Sequence, residues 1–391
     1  MTAIDAIRQH QDELVAIRHD IHAHPELGME ETRTAELVAR KLEEWGIEVH
    51  RGVGGTGVVG VLRNGPAGQA GGNRAIGLRA DMDALPMTEM TGLPWSSTVP
   101  GKMHACGHDG HTTMLLGAAK YLAETRRFSG TVNLIFQPGE EGCGGALAML
   151  EDGLFERFPC DSIYGMHNRT GMDVGRFAVR TGAVMAGGAF FDITITGKGS
   201  HGARPEESID PVLVACHLGT ALQSIVSRTL SPRDPAVVSV TKVAGGDAYN
   251  VIPQTAVLSG TARFFAREVG ETIEASMRRL ADGVAAGFGA TASVDWRLIF
   301  APTVNAAEPV ALVEAAARDL AGDDKLETNK PPVMGSEDFA FMLERVPGAY
   351  LNVGNGPGFS PHHPGYAFND EAIPYGAALY ARLVELGLPL A

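Results

Sequence analysis

The stretch Val132-Asn133-Leu134-Ile135-Phe136-Gln137-Pro138-Gly139-Glu140-Glu141 joins a short apolar run to a turn and a pair of acids. The run has the length of a buried strand, and Pro-Gly is typical of the turn that ends one. Similar runs, separated by helical patterns such as Thr112–Thr125, occur at Gly57–Leu62, Ala75–Leu78 and Ser162–Met166. Strands that alternate with helices predict an α/β fold with a mostly parallel sheet.

The middle of the chain has a different order, which is strand, helix, strand, strand, helix, strand. The predicted elements are Phe190–Thr196, Ile209–Thr229, Ala236–Val243, Ala256–Arg263, Glu268–Gly287 and Thr291–Trp296. This order is that of the ferredoxin-like unit. Helix and strand alternation then resumes through Glu308–Leu320 and Tyr350–Val353 to a last helix from Pro374. We therefore predict an α/β domain at 1–185 and 298–391, interrupted by an inserted α+β domain at 186–297.

Composition limits the possible function classes. The chain has 391 residues and a formal net charge of −14, which argues against a nucleic-acid surface. No apolar run approaches the roughly 20 residues that span a bilayer, and the N-terminal residues lack the apolar core of an export signal. Four cysteines in a chain this long do not form a disulfide framework. We therefore expect a cytoplasmic protein without a membrane partner.

Polar clusters follow the predicted strands of the α/β domain. They are Asp81-Met82-Asp83, Cys106-Gly107-His108, Glu140-Glu141 and His167, and His362-His363 lies in a later Gly/Pro-rich loop. Open α/β sheets bind ligands beyond the carboxyl ends of their strands, so these clusters could converge on one place. Thiolate, imidazole and carboxylate together are a ligand set for first-row transition metals, of which Zn²⁺ is the commonest.

Adjacent acids such as Glu140 and Glu141 point in different directions and are unsuited to chelate one ion together. One carboxylate can bind metal while its neighbour takes a proton from water at the open coordination position. Alone, each piece has an ordinary structural explanation. His167 would be a hydrogen-bonded core histidine, Cys106 a small buried hydrophobe, and the two glutamates a solvated helix start. Their joint placement after successive strands favours the metal site.

In its motifs the chain resembles the M20 metallopeptidase family, in the branch of hippurate hydrolases, aminoacylases and auxin-conjugate amidohydrolases. The motifs run in order over nearly the whole length, at His19–Leu27, Arg79–Pro86, Met103–Asp109, Phe136–Gly145, Gly199–Pro205, Asn250–Pro253, Gly335–Phe339 and His362–Asn369. The resemblance implies a zinc-peptidase-like catalytic domain with an inserted lid and dimerisation domain. It also implies a homodimer or a tetramer formed through that lid domain.

The resemblance further implies a site for two divalent metal ions in each subunit. Zn²⁺ is the first expectation, with Mn²⁺, Co²⁺ or Ni²⁺ as alternatives. The matching ligands are Cys106, His108, Glu141, His167 and His362. Glu140 matches the general base, and His201 matches a residue that stabilises the oxyanion in the partner subunit. Asn250 and Arg263 match positions that hold the free carboxylate of the substrate. Asp81 and Asp83 replace the wider family's His-x-Asp motif, and Asp83 is predicted to orient ligands.

These observations predict a metal-dependent amidohydrolase that acts on small N-acyl amino acids, of the hippurate or N-acetyl type. A dipeptidase or carboxypeptidase of the same family is an alternative, as is a catalytically silent metal-binding protein. A cysteine hydrolase with Cys106 as nucleophile is a further alternative. The sequence leaves the preferred acyl group and amino acid open.

Overall fold

A computed structural model describes residues 2–65 and 74–390. The contacts divide the chain into two compact units. The first unit comprises Met1–Gly182, Val304–Pro331 and Asp338–Ala391, and the second comprises Ala183–Thr303 and Pro332–Glu337. Along these described ranges, every helix is too short or too polar to cross a membrane.

The first stretch of the chain supplies most of the first unit. Its helices are α1 Ala3–Arg8, α2 Gln11–Ala23, α3 Thr32–Glu44, α4 His108–Thr125, α5 Gly145–Glu151 and α6 Leu154–Arg157. Its strands are β1 Glu48–Val53, β2 Gly57–Asn64, β3 Ala75–Asp81, β4 Gly130–Gln137, β5 Ser162–Thr170 and β6 Phe177–Ala178. Each predicted apolar run lies inside one of these strands, and β3 is buried along its whole length.

The second unit follows. Its strands are β7 Gly182–Met185 (which begins at the division), β8 Gly187–Thr196, β9 Ser200–His201, β10 Ala236–Gly245, β11 Val251–Ile252, β12 Thr255–Phe264 and β13 Thr291–Phe300. Its helices are α7 Pro211–Leu222 and α8 Arg267–Gly287, with a π-helical turn at Ile225–Thr229. Strands β10, β12, β8 and β13 form an antiparallel sheet in that order. This is the predicted ferredoxin-like arrangement.

The predicted helix over 209–229 was too long at its start and was not continuous. The α-helix begins at Pro211 because Asp210 caps it, accepting hydrogen bonds from the backbone N–H groups of Val212 and Leu213. A proline at the first helical position loses no hydrogen bond, since that N–H has no helical partner.

The chain then returns to the first unit. Its remaining strands are β14 Thr303–Asn305 (whose first residue still belongs to the second unit), β15 Leu326–Glu327 and β16 Gly348–Gly356. Its remaining helices are α9 Ala307–Ala321, α10 Phe339–Leu343 and α11 Ile373–Gly387. The main sheet has the order β1-β2-β4-β3-β5-β16-β6-β15. Its centre, from β4 to β16, is parallel. Helices α4 and α11 pack on β3 and on each other. The parallel centre brings the carboxyl ends of four strands to one edge.

Candidate metal centre

The predicted ligands lie at that edge of the main sheet. His167 is in β5, Glu140 and Glu141 directly follow β4, and His362 follows β16 in a loop. His108 begins α4, and the preceding Gly107 has φ 98°. A Cβ at Gly107 would lie 2.5 Å from the Asn168 and Tyr366 side-chain oxygens, so this turn has room only for glycine. The turn brings Cys106 and His108 together.

We call Cys106, His108, Glu141, His167 and His362 the ligand cluster. Cys106 Sγ lies 3.3 Å from His167 Nε2, and His362 Nε2 lies 3.0 Å from Glu141 Oε1. Candidate ligand atoms lie within 4.8 Å of one another in three sets, which are Cys106–His108–His167, Cys106–Glu141–His362 and His108–Glu140–Glu141. The structure therefore brings all five predicted ligands and Glu140 together, and Cys106 belongs to two of the sets.

Burial strongly affects the protonation of the ligand cluster. It raises the pKa of the Cys106 thiol to about 12 and lowers the pKa of His167 to about 3. Both groups therefore favour their neutral forms at neutral pH in the protein alone. A divalent cation would reverse this preference for the thiol, since the charge of the ion stabilises the thiolate.

His108 carries a buried nitrogen, Nε2, for which the structure gives no hydrogen-bond partner within the described ranges. Burial opposes a positive charge on His108, yet the Asp81 carboxylate holds the pKa of His108 well above its usual value. The surrounding field therefore favours positive charge at this imidazole. This buried nitrogen lies 3.8 Å from Asp81 Oδ2, and its place beside a thiol, two imidazoles and a carboxylate fits a transition-metal site.

Asp83 contacts two members of the ligand cluster. Its Oδ1 lies 3.1 Å from His108 Nδ1, and its Oδ2 accepts a hydrogen bond of 2.9 Å from the Glu141 backbone N–H. A carboxylate that holds Nδ1 leaves Nε2 of the same ring free to bind a metal. The orienting role of Asp83 stays a prediction.

Asp81 belongs to a buried layer next to the ligand cluster. Arg79 Nη1 donates to Asp81 Oδ2 at 2.8 Å, and His111 Nδ1 lies 2.6 Å from Asp81 Oδ1. The backbone N–H of Asn168 donates to His111 Nε2 at 3.1 Å. The sequence analysis missed His111 and Asn168. His111 could have been found from its place three residues after His108, since residues three apart share a helix face.

Glu140 is 7% exposed and is held in a fixed loop. The backbone N–H of Gly139 donates to Glu31 Oε1 at 2.8 Å. Burial raises the pKa of the Glu31 carboxyl group above its ordinary value. Sequence reasoning did not identify Glu31, because it is 108 positions away from this loop.

The other predicted site residues belong to the second unit. His201 is exposed in β9, where it pairs with Val251 of β11, and its Nδ1 accepts from the Ala203 backbone N–H at 3.0 Å. The Asn250 carbonyl accepts from the Gly202 backbone N–H at 2.7 Å, so Asn250 lies beside the His201 turn. Arg263 lies on β12, and its Nη1 donates to Thr261 Oγ1 at 2.7 Å.

An α/β sheet with a buried Cys/His/Glu cluster and an adjacent second carboxylate at its carboxyl edge is typical of metal-dependent hydrolases. Residues 77–386 match the model of peptidase family M20/M25/M40, and the chain belongs to this family.

Three relatives illustrate the similarity. Hippurate hydrolase of Campylobacter jejuni is 43% identical over 98% of both chains. The IAA-amino acid hydrolase ILR1-like 4 of Arabidopsis thaliana is 41% identical over 95% of this chain and 85% of its own. A crystal structure from Bacillus subtilis, described as a dinuclear metal-binding peptidase of the M20 family, is 34% identical with a TM-score of 0.85, covering 97% of this chain and 98% of its own.

These matches confirm the predicted family and its branch, the α/β fold class with a smaller antiparallel unit, and the class of metal-dependent amidohydrolase. Together with the ligand cluster they support a site for two divalent metal ions.

Proposed function

We propose that the chain hydrolyses the amide bond of N-acyl amino acids, releasing a carboxylic acid and a free amino acid. The observation that carries this proposal is the ligand cluster, in which Cys106 and His108 are buried, with the buried Glu140 beside it. The names of the hippurate and IAA-amino acid hydrolases, at about 40% identity over nearly the full length, support the substrate class. In this proposal 1–185 and 298–391 form the catalytic domain, and 186–297 form the lid and dimerisation domain.

The five residues of the ligand cluster would hold two divalent ions, with Zn²⁺ as the first expectation and Mn²⁺, Co²⁺ or Ni²⁺ as alternatives. When bound, such ions polarise an amide carbonyl and lower the pKa of water to about 7. Asp83 would keep His108 Nε2 and the Glu141 backbone in place for this purpose.

Glu140 would act as the general base and then as the general acid. Its carboxylate takes a proton from water, and the oxygen of that water forms a bond to the amide carbon. As the carbon–nitrogen bond breaks, Glu140 returns the proton to the leaving nitrogen. Its burial next to the ligand cluster keeps other water away from this proton transfer.

The second unit would complete the site in a homodimer. By the family resemblance, His201 would donate a hydrogen bond to the developing oxyanion in the partner subunit. Asn250 and Arg263 would hold the substrate carboxylate, since amide and guanidinium groups donate hydrogen bonds to carboxylate oxygens.

All four cysteines are free thiols, which supports a reducing compartment such as the cytoplasm.

The test is release of free amino acid from N-acetyl, N-benzoyl and dipeptide substrates by wild type, Glu140→Gln and Glu151→Gln. We expect acylated substrates to be preferred, and Glu140→Gln to lose roughly 10²- to 10⁴-fold in kcat with its metal content intact. Glu151, an exposed acid on α5, serves as the control that keeps full activity. A preference for dipeptides would indicate a peptidase. Inactivity on every substrate, or full activity of Glu140→Gln, would refute the proposal.

A further inference from the structure

Lys330, in the first unit, forms no ion pair within the part of the chain that the structure describes. Its side chain is only partly exposed, and Nζ donates a hydrogen bond to Asn352 Oδ1. Glu327, an acid close in sequence, pairs with Arg169 at 3.1 Å, and its charge acts on Lys330 only from a longer distance. Burial and the nearby Arg169 lower the pKa of Lys330 to about 8, so it is still mostly charged at neutral pH.

Asn352 connects this cation to the strand that carries His167. Asn352 pairs in register with His167 across the parallel strands β16 and β5, and its Nδ2 donates to the His167 carbonyl at 3.3 Å. Paired residues on neighbouring strands face the same side of a sheet and lie about 4.8 Å apart. The His167 side chain contacts Cys106. The Asn352 side chain therefore projects from the same face of the sheet as the ligand cluster.

The surroundings hold Lys330 in this place. Arg180 Nη1 donates to its carbonyl oxygen at 2.9 Å, and two prolines follow it in the sequence. Proline fixes its own φ and restricts the residue before it, so the backbone has little freedom here. A partly buried charge is costly unless an opposite charge pairs with it. A fixed ammonium whose protein partner is a neutral amide therefore has the properties of an anion site.

We propose that Lys330 Nζ, held by Asn352, binds a carboxylate of the substrate and so contributes to specificity. This inference rests on the proposed function, because N-acyl amino acids supply the anion. Every such substrate has an α-carboxylate, and substrates such as N-acetylglutamate have a second one. The shared chemistry is a carboxylate oxygen that accepts a charge-assisted hydrogen bond.

The test uses the metal-loaded Glu140→Gln protein, in which binding is measured without turnover. Calorimetry gives the Kd of N-acetylglutamate and of its uncharged isostere N-acetylglutamine, with Lys330 present or replaced in Lys330→Met. If Lys330 binds the second carboxylate, Lys330→Met raises only the Kd of N-acetylglutamate. The expected increase is roughly 10- to 100-fold, the range for one lost charged hydrogen bond. If Lys330 binds the α-carboxylate, the Kd values of both compounds rise by that factor.

Lys330→Arg keeps the charge and should retain most of the affinity. Lys325→Met, which removes a lysine earlier in the same segment, is the matched control and should bind like the parent. Unchanged Kd values in Lys330→Met, or no binding of either compound by the parent, overturn the inference. Equal unfolding midpoints of parent and variant show that the loss is not one of folding. Failure of wild type to hydrolyse any acylated substrate, with Lys330-dependent binding intact, would refute the proposed reaction alone.

Discussion

Two polar clusters meet at the start of helix α4, at the consecutive buried residues His108 and Asp109. His108 belongs to the ligand cluster, whereas Asp109 belongs to what we call the ion-pair cluster, formed by Arg18, His22, Glu89 and Asp109. Both are formed by side chains from distant parts of the sequence. They differ in the charge of their members, because ion pairs hold His22 charged in the ion-pair cluster, whereas burial holds Cys106 and His167 of the ligand cluster neutral.

In the ion-pair cluster every charge contacts an opposite one. Arg18 Nη1 donates to Asp109 Oδ2 at 2.8 Å, His22 Nδ1 lies 2.8 Å from the same oxygen, and His22 Nε2 lies 3.4 Å from Glu89 Oε1. Burial opposes a positive charge on His22, but the Asp109 carboxylate raises the pKa of His22 to about 9. In the ligand cluster, burial instead keeps Cys106 and His167 neutral. The first cluster is stabilised by ion pairs within the protein, whereas the second offers neutral ligand atoms that could bind an added cation.

The largest effect on stability should come from Asp109→Asn. This change leaves Arg18 and His22 buried without their shared carboxylate, and breaking a buried pair in this way costs about 3–5 kcal/mol. We expect the free energy of unfolding in denaturant to fall by that amount while the metal content is unchanged. The exposed Asp324→Asn should stay within about 0.5 kcal/mol of wild type. Loss of metal with stability retained would mean that the two clusters have been assigned the wrong roles.

The pH dependence of stability should identify the charge on His22. Its pKa rises from 6.5 to about 9 on folding, so its contribution is fully present below pH 6.5 and is lost as the pH rises through about 9. At about 1.4 kcal/mol for each pH unit, the contribution reaches about 3 kcal/mol. The stability difference between wild type and His22→Gln should therefore shrink between these two pH values. A difference that does not change with pH would contradict the charged imidazole.

A smaller effect is expected from Asp83→Asn, which weakens the orientation of two ligands without removing one. Loss of such an outer contact to a metal-bound histidine typically reduces metal affinity by about 10- to 100-fold. Competition with a chromophoric chelator measures this affinity. Folding stability without metal should change far less than in Asp109→Asn. If metal affinity is unchanged, Asp83 does not orient the ligand cluster.

Sequence periodicity predicted the strands that carry the ligands, because each is a short apolar run ended by a turn. The run Val132–Phe136 lies within β4, and the acids that follow it are at the predicted edge. The convergence of those edges followed from the general geometry of parallel sheets. The strand order and the individual contacts did not, because Cys106 and His167 are 61 positions apart and Glu141 and His362 are 221 apart.

The role of a residue that depends on a partner far away in the sequence could not be predicted from the sequence. His22 was indistinguishable from a polar residue at a helix end until its contact with Asp109, 87 positions away, was known. Lys330 appeared as an ordinary lysine before two prolines, since nothing local shows that Asn352 holds it. A local sequence pattern does not show which distant residue a side chain contacts, because that partner is determined by the fold.

We propose that the ligand cluster binds two divalent cations. The most direct measurement is the metal content of the purified protein by mass spectrometry, together with amino-acid release before chelation, after it and after metal is restored. The account predicts two divalent ions per chain in wild type and in Glu140→Gln. It also predicts that wild-type activity disappears on chelation and returns with metal. Activity that survives complete removal of metal would contradict it.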